Sequence, residues 1–438
     1  MLRSNLTLLL LLLLVLAVVG PTSANRDERF SGVVDGSRYA VQIPASWNGT
    51  LLLFSHGYTG WGNRNPAVVA PDPVTASALL DRGYALAGAA YSAQGWAVAQ
   101  ALPEQLALIA LVRTRWHPRR ILLWGESMGG LITTLLAQDP SSHALGALSL
   151  CGVVGGTTLQ FDRWLTGAVA FQQLVAGADP RLRVVDISQP GPELDVARSY
   201  LAQAQRTPAG RARVALAASL AGVPGWVRGE PPLTPSAAEQ AQATWLDSLV
   251  LFFEFDARAE LEQRAGGNGS SMSGTDATAV LADSPDSAEV RALYEAAHLS
   301  VGADLARLGG VPPIAAAPAA AQYLQRYGTP PGRLRVPVLT VQTIGDGLIS
   351  PSDSRVYAQR VAAAGEGQRL RELYVERAGH CAFSAGEIAT SIQALDQRVR
   401  TDRWPALTPA VLNARAATGA TLRQAPAFNA YQPPPSAY

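Results

Sequence analysis

The chain alternates between strand-like and helical patterns, loses that alternation for almost 180 residues, and then regains it; no other feature limits its fold as much. From Phe30 to Cys151, short apolar runs bounded by turn residues alternate with segments that carry apolar residues at helical spacing. Ser31–Asp35 and Arg38–Ile43 read as strands joined by a turn at Asp35-Gly36. Thr50–Phe54, Tyr84–Tyr91, Arg120–Trp124 and Leu145–Cys151 also read as strands. Val74–Arg82, Trp96–Trp116 and Gly130–Gln138 read as helices. From about Gly155 to Gly332 the chain is rich in Ala, Leu and Gln at helical spacing, and nothing there reads well as a parallel strand. The alternation resumes at Arg335, with strands expected at Val336–Thr343 and Leu370–Glu376 and helices at Ser352–Ala364 and Ala385–Arg400. Strand and helix at βαβ spacing imply an α/β fold, with a mostly parallel sheet covered by helices on both faces. The helical interruption is far longer than a loop. It needs a small core of its own and is expected to sit over one end of the sheet.

These patterns divide the chain into five stretches: a leader at 1–24, the first half of the sheet domain at 25–154, a helical cap insertion at 155–333, the second half at 334–402, and a Pro/Ala-rich tail at 403–438. The last residues of the tail are expected to be disordered, and Gly266–Gly274 (GGNGSSMSG) to be a flexible loop. In the leader, Arg3 precedes an apolar run from Leu6 to Gly20, and Thr22-Ser23-Ala24 offers small residues for cleavage after Ala24. The alternative is an uncleaved anchor, for which the run is short. The expectation is a secreted or extracytoplasmic protein with no stable membrane span after leader removal. Cys151 and Cys381 would then form one disulfide or remain two unrelated buried thiols.

Hydrophobic residues make up 48% of the chain and charged residues 16%, with a formal net charge of +1. That is a globular composition without the basic footprint of a nucleic-acid binder. Every basic residue is arginine. The absence of lysine removes Schiff-base and P-loop chemistry, both of which need an amine.

Gly125-Glu126-Ser127-Met128-Gly129 fits G-x-S-x-G, the strand-to-helix elbow that exposes a serine. It follows the apolar run Ile121–Trp124 and precedes Gly130–Leu136, so strand stands before it and helix after. A serine hydroxyl is a weak nucleophile and needs a histidine beside it, oriented by a carboxylate. His380, in Gly379-His380-Cys381, directly follows the last expected strand. Asp346, in Gly345-Asp346-Gly347, follows the strand before that. The order Ser127, Asp346, His380 is the order this chemistry takes on such a sheet. Taken singly, His380 and Asp346 would each be an ordinary loop residue; together at successive strand ends they read as base and acid. Asp353 is a rival acid, read as a helix start, and Glu126 is expected to point away from the imidazole. An oxyanion needs two backbone donors. The amide of Met128 is one, and the Ser55-His56-Gly57-Tyr58 loop supplies the other through Tyr58. His56 reads as loop-shaping, and His117, His143 and His298 as structural or exposed. None has metal-ligand spacing, so no metal or other cofactor is expected.

On these residues the chain resembles the α/β-hydrolase superfamily across Phe30–Cys151 and Arg335–Arg400. A serine at the elbow resembles its esterase, lipase and peptidase branches, not those with an aspartate there. The insertion resembles the cap domains these enzymes carry after the sixth strand. Cys381 directly after the base is similar to the tannase and fungal feruloyl-esterase group, where a disulfide ties the base's neighbour to the nucleophile's neighbour. Here Glu126 occupies the latter place. The resemblance therefore points to a Cys151–Cys381 bond, from the strand beside the elbow to the His380 loop. It further implies acyl transfer through a covalent intermediate on small or medium-sized carboxylic esters, with serine peptidase action on short peptides as the alternative. A non-catalytic binding protein on the same scaffold is the reading from another class. Aromatic residues of the insertion, among them Phe161, Trp164, Trp226, Trp245, Phe253 and Tyr294, are expected mainly to form the cap's own core, with some left to line an apolar pocket.

Overall fold

The computed structural model describes residues 27–60, 62, 65–418, 424–436 and 438. The leader expected at 1–24 lies outside the described residues.

The sheet strands are β1 (Glu28–Val34), β2 (Ser37–Ile43), β3 (Thr50–Ser55), β4 (Ala85–Ala89), β5 (Arg120–Glu126), β6 (Gly146–Leu150), β7 (Val338–Gly345), β8 (Leu370–Ala378) and β9 (Phe428–Asn429). They lie in the order β1-β2-β4-β3-β5-β6-β7-β8-β9. Pairing is parallel from β4 through β8, with β1 and β2 antiparallel at one edge and β9 antiparallel at the other. A strand turns successive side chains to opposite faces, and here both faces are dry. Leu51 and Leu53 of β3 pack with Leu123, Leu131 and Ile132 in one core. Their neighbours Leu52 and Phe54 pack with Trp124, Leu79 and Ile392 in the other. Continuous apolar runs are what such doubly covered strands need. The helices that cover them are α1 (Pro73–Leu80), α2 (Val98–Arg115), α3 (Met128–Leu136) and, beyond the insertion, two more introduced below.

Between β6 and β7 the chain forms only helices: α4 (Thr157–Ala170), α5 (Pro190–Ala204), α6 (Pro208–Leu220), α7 (Pro235–Trp245), α8 (Arg258–Ala265), α9 (Ala277–Asp283), α10 (Ser287–Ala296), α11 (Val301–Gly309) and α12 (Pro318–Gly328). Single π-helical turns at Phe171–Val175, Leu246–Val250 and Phe253–Ala257 interrupt the run. Phe161, Trp164, Phe171, Phe255 and Tyr294 are buried, so most of the insertion's aromatics serve packing. The segment Gly266–Gly274, expected to be flexible, is pinned instead. Asn268 accepts from the Ser270 amide at 2.9 Å and donates to the Ala315 carbonyl at 3.2 Å, and Arg258 donates to Ser270 at 2.8 Å. The path is tight in its middle, where a Cβ on Gly269 would fall 2.6 Å from Leu324, while Gly266 and Gly274 stand exposed at its ends.

After β7 come α13 (Ser352–Ala363), β8, α14 (Ala385–Thr401) and α15 (Pro409–Ala416). The tail departs from the expectation of disorder. Within it α15 packs on α14, and β9 adds the last strand by pairing Phe428 with Val375. Tyr438 donates its hydroxyl to the Leu220 carbonyl, and the Arg163 guanidinium lies 5.5 Å from its ring centroid. Buried apolar residues, such as Leu412 and Phe428, overrode a proline-rich composition.

Candidate active site

Ser127 sits at the turn between β5 and α3 with φ 56° and ψ −125°, a conformation that L residues rarely adopt. The flanking glycines explain how the turn fits. A Cβ on Gly125 would lie 2.5 Å from the Gly129 carbonyl oxygen, and one on Gly129 would lie 1.9 Å from that of Ser55. The elbow therefore packs backbone on backbone against the end of β3. Its register is set by Ser127 N–H, which donates to the Leu150 carbonyl at 3.0 Å.

His380 and Asp346 approach from the ends of β8 and β7. His380 Nε2 lies 2.9 Å from Ser127 Oγ, and Nδ1 lies 2.9 Å from Asp346 Oδ2. Asp346 is fully buried. Its Oδ1 accepts from the Leu348 and Ile349 amides at 2.9 and 3.0 Å, and its Oδ2 from Gln342 Nε2 at 3.0 Å. These three donors fix the orientation of the carboxylate. The rival acid Asp353 is engaged elsewhere, 2.7 Å from Arg163 Nη1 in the first turn of α13.

The His380 loop is tied down on every side. Gly379, at φ 117°, donates to the Gly345 carbonyl at 3.0 Å and accepts from Thr343 Oγ1 at 2.7 Å. Cys381 is bonded to Cys151, joining the loop to the tip of β6 across 230 residues of sequence. With both sulfurs in that bond, the cluster of Cys151, His380 and Cys381 has no thiolate to offer a metal. At the loop's base Arg377 pairs with Glu387 at 2.7 Å, and Glu387 also closes a capping box with Ser384 at the start of α14.

On the other side of Ser127 lies the loop after β3. A Cβ on Gly57 would contact Ser127 Cβ at 3.4 Å, so the loop passes directly over the serine. Among the described residues, the Tyr58 and Met128 amides donate to no protein acceptor. The Tyr58 ring joins an aromatic cluster of the cap, 5.2 Å from Phe253 and 6.1 Å from Phe252. His56 stacks on Tyr91 at 4.0 Å, and its Nδ1 lies 2.8 Å from the Gly57 carbonyl. Burial lowers its pKa, so it is a neutral support for the loop. His117, His143 and His298 are exposed at turns with positive φ, away from this site.

Electrostatics at the base are balanced between opposing effects. Burial disfavours the charged imidazole, but the charge and hydrogen bond of Asp346, helped by Glu126, raise the His380 pKa above its usual value. Glu126 was expected to face away from the ring, and its charge still contributes to that shift. Its own pKa is pushed up to about 7, by burial first, against the pull of His380 and with help from Asp72.

Sequence reasoning missed the groups that hold the acid and the base: Gln342, Thr343, Gln160, Arg163 and the Arg377–Glu387 pair. Only the last carried a signal, the Ser384-x-x-Glu387 spacing of a capping box ahead of an apolar helix. A buried glutamine in a strand or helix announces nothing in sequence.

No protein-family model matches the chain. It is similar to an o-phthalyl amidase from Xanthobacter agilis, 27% identical over 422 residues that cover 88% of this chain and 90% of the amidase. Among solved structures it resembles an Aspergillus oryzae esterase, at 10% identity and TM-score 0.43, covering 86% of this chain and 80% of that one. A bacterial membrane phospholipase A gives 15% identity and TM-score 0.38, over 86% and 87% of the two chains. With a sheet of this order, an elbow serine at the end of β5 and a helical insertion after β6, the protein has the α/β-hydrolase fold.

Proposed function

We propose that the protein is a serine acyl hydrolase in which Ser127, His380 and Asp346 form the catalytic triad. The supporting observation is the continuous line Ser127 Oγ, His380 Nε2, His380 Nδ1, Asp346 Oδ2, with both contacts at 2.9 Å. His380 takes the hydroxyl proton as Ser127 attacks a carbonyl carbon. Asp346 fixes the tautomer that leaves Nε2 free to accept, and stabilises the imidazolium that forms. The amides of Tyr58 and Met128 receive the oxyanion. The proton then passes to the leaving group, and water repeats the cycle on the acyl-enzyme.

Carboxylic esters of small or medium size are one substrate class for this machinery. The likeness to an o-phthalyl amidase supports carboxamides as well. The partly buried rings of Tyr58 and Phe252, on the side of Ser127 where Gly57 lies, offer apolar surface suited to an aryl group.

We also infer that residues 1–24 direct export and are removed. A disulfide belongs in an oxidising compartment. Among the described residues no helix is long and apolar enough to cross a membrane. A mature N-terminus at Asn25, read by intact mass of protein recovered outside the cytoplasm, supports this; a retained leader overturns it.

Fluorophosphonate labelling tests the nucleophile. Wild type is expected to label and Ser127→Ala to stay unlabelled; labelling that persists in the variant sinks the assignment, and no labelling of wild type favours a binding protein. Turnover of p-nitrophenyl esters beside anilides of aromatic acids separates ester from amide preference.

A further inference from the structure

The loop that carries Asp346 belongs to the sheet domain by sequence, yet the cap grips it. Trp226 and Trp245 lie on its two glycines: a Cβ on Gly345 would fall 2.6 Å from the Trp226 ring, and one on Gly347 would fall 2.1 Å from the Trp245 indole. From α4 of the cap, Gln160 Nε2 donates to the Leu348 carbonyl at 3.1 Å. One turn further along, Arg163 donates to Asp353 Oδ1 at 2.7 Å and to Ser352 Oγ at 3.1 Å. Both ends of the loop are thereby fixed by one buried helix face. The N–H of that same peptide unit, from Ile349, donates to Asp346 Oδ1 at 3.0 Å, beside the Leu348 N–H at 2.9 Å. Gln342 closes the other side, bonding Asp346 Oδ2 at 3.0 Å and the Ile349 carbonyl at 2.9 Å. Gln160, Arg163, Leu348, Ile349 and Asp346 are all buried, so water has little access to replace a lost partner.

We propose that Gln160 and Arg163 are positioning residues for Asp346, so that the cap carries part of the acid's support and is not only a cover over the serine. The inference rests on the triad reading above. Gln160 orients the peptide between Leu348 and Ile349, and the N–H of that peptide, from Ile349, orients the carboxylate that must face His380 Nδ1. A peptide that rotates loses one of the two amides on Oδ1 and lets the imidazole tilt away from Ser127. The cost falls on the chemical step, because the charged imidazole forms only there. A corollary is that the cap does not swing open at α4 during turnover; substrate enters elsewhere along its rim.

A double-mutant cycle decides this. Gln160→Met keeps an unbranched side chain of similar volume and removes the donor. It is expected to lower kcat on the order of tenfold with KM nearly unchanged. The acid limb of the pH–rate profile should move to lower pH, because a loosened Asp346 no longer raises the His380 pKa as far. In an Asp346→Asn background the same substitution should cost almost nothing, since its effect runs through the carboxylate. An equal fold-loss in both backgrounds, or a loss confined to KM, overturns the proposal. Should Gln160→Met not fold, Arg163→Lys keeps the ion pair with Asp353 but gives up the Ser352 bond. It should lower kcat a few-fold and likewise be silent beside Asp346→Asn; a loss that persists there is again a refutation. Asp346→Asn also reads the triad itself. If that single variant keeps full activity, the triad reading fails first; if it collapses while the Gln160 effect remains additive, only the present inference fails.

Discussion

The sheet and the cap contribute to the same site in different ways. The sheet delivers the three groups of the proposed triad to strand ends: Ser127 after β5, Asp346 after β7 and His380 after β8. Each sits on a turn whose backbone requirements are local, such as the φ of 56° at Ser127 and 117° at Gly379. The cap delivers no group within hydrogen-bond reach of Ser127 Oγ among the described residues, yet it packs on the acid loop through Trp226, Trp245, Gln160 and Arg163. The contrast teaches that placing a catalytic side chain and holding it still are separate tasks. Parallel strands perform the first. Long-range packing across an insertion performs the second.

The sheet's share is tested by the largest effects. Ser127→Ala and Asp346→Asn should each lower kcat by about 10⁴-fold or more, with folding unaltered by circular dichroism. Asp346→Asn lets the amide donate where the carboxylate accepted, which favours the wrong imidazole tautomer. Activity near wild type in either variant would remove the sheet from its assigned role.

The disulfide sits where the two tasks meet, since Cys381 adjoins the base and Cys151 ends the strand beside the elbow. Replacing both cysteines by serine should destabilise the fold by about 2–5 kcal/mol, read from denaturant midpoints. Activity should fall with it, because the Arg377–Glu387 pair and the Thr343 bond are then left to hold the His380 loop. A double variant with unchanged midpoint but lost activity would make the bond a purely local clamp.

How much of this was legible in sequence follows the same division. The strands and helices of the sheet domain were readable because burial on both faces demands continuous apolar runs, as in Thr50–Phe54 and Arg120–Trp124, and because Gly and Ser mark the elbow by steric need. That Asp346 and His380 would meet beside Ser127 could be expected because a strand end next to a glycine is a local event. The cap was legible only as helical. Nothing in its pattern says that Trp245 rests on Gly347 or that Gln160 meets Leu348, since those pairs are fixed by tertiary packing between segments about 100 and 190 residues apart. The tail misled for the opposite reason: its prolines suggested disorder, while Phe428 and Tyr438 found sites in the folded body.

A smaller substitution probes the seam between the two regions. Gly347→Ala adds one methyl group to the sheet domain, at a position whose backbone tolerates it, but drives it to 2.1 Å from the Trp245 indole. It should cost about 1–3 kcal/mol of stability, as overpacking does, and lower kcat. Trp245→Leu in the same chain should recover part of both losses. No recovery would mean that the glycine answers to something other than the cap.

The smallest expected effect separates charge from packing at the base. His380 must be neutral to accept the Ser127 proton, so activity rises with pH as the imidazole loses its proton. Because Asp346 and Glu126 outweigh burial and raise the His380 pKa, that rise is expected at a pH above the usual histidine value. Glu126 has a pKa of about 7 itself, so it is charged through the upper part of that rise and neutral below it. Glu126→Gln removes the charge without changing shape. The neutral imidazole then becomes easier to form, and the acid limb should move toward lower pH by less than about one unit, with the plateau kcat nearly intact. A limb that stays in place would mean that Asp346 alone sets the base, and that the acid beside the nucleophile is mute. A limb that moves while the plateau also collapses would instead give Glu126 a structural part in the elbow, at the end of β5 where Gly57 passes over its carbonyl.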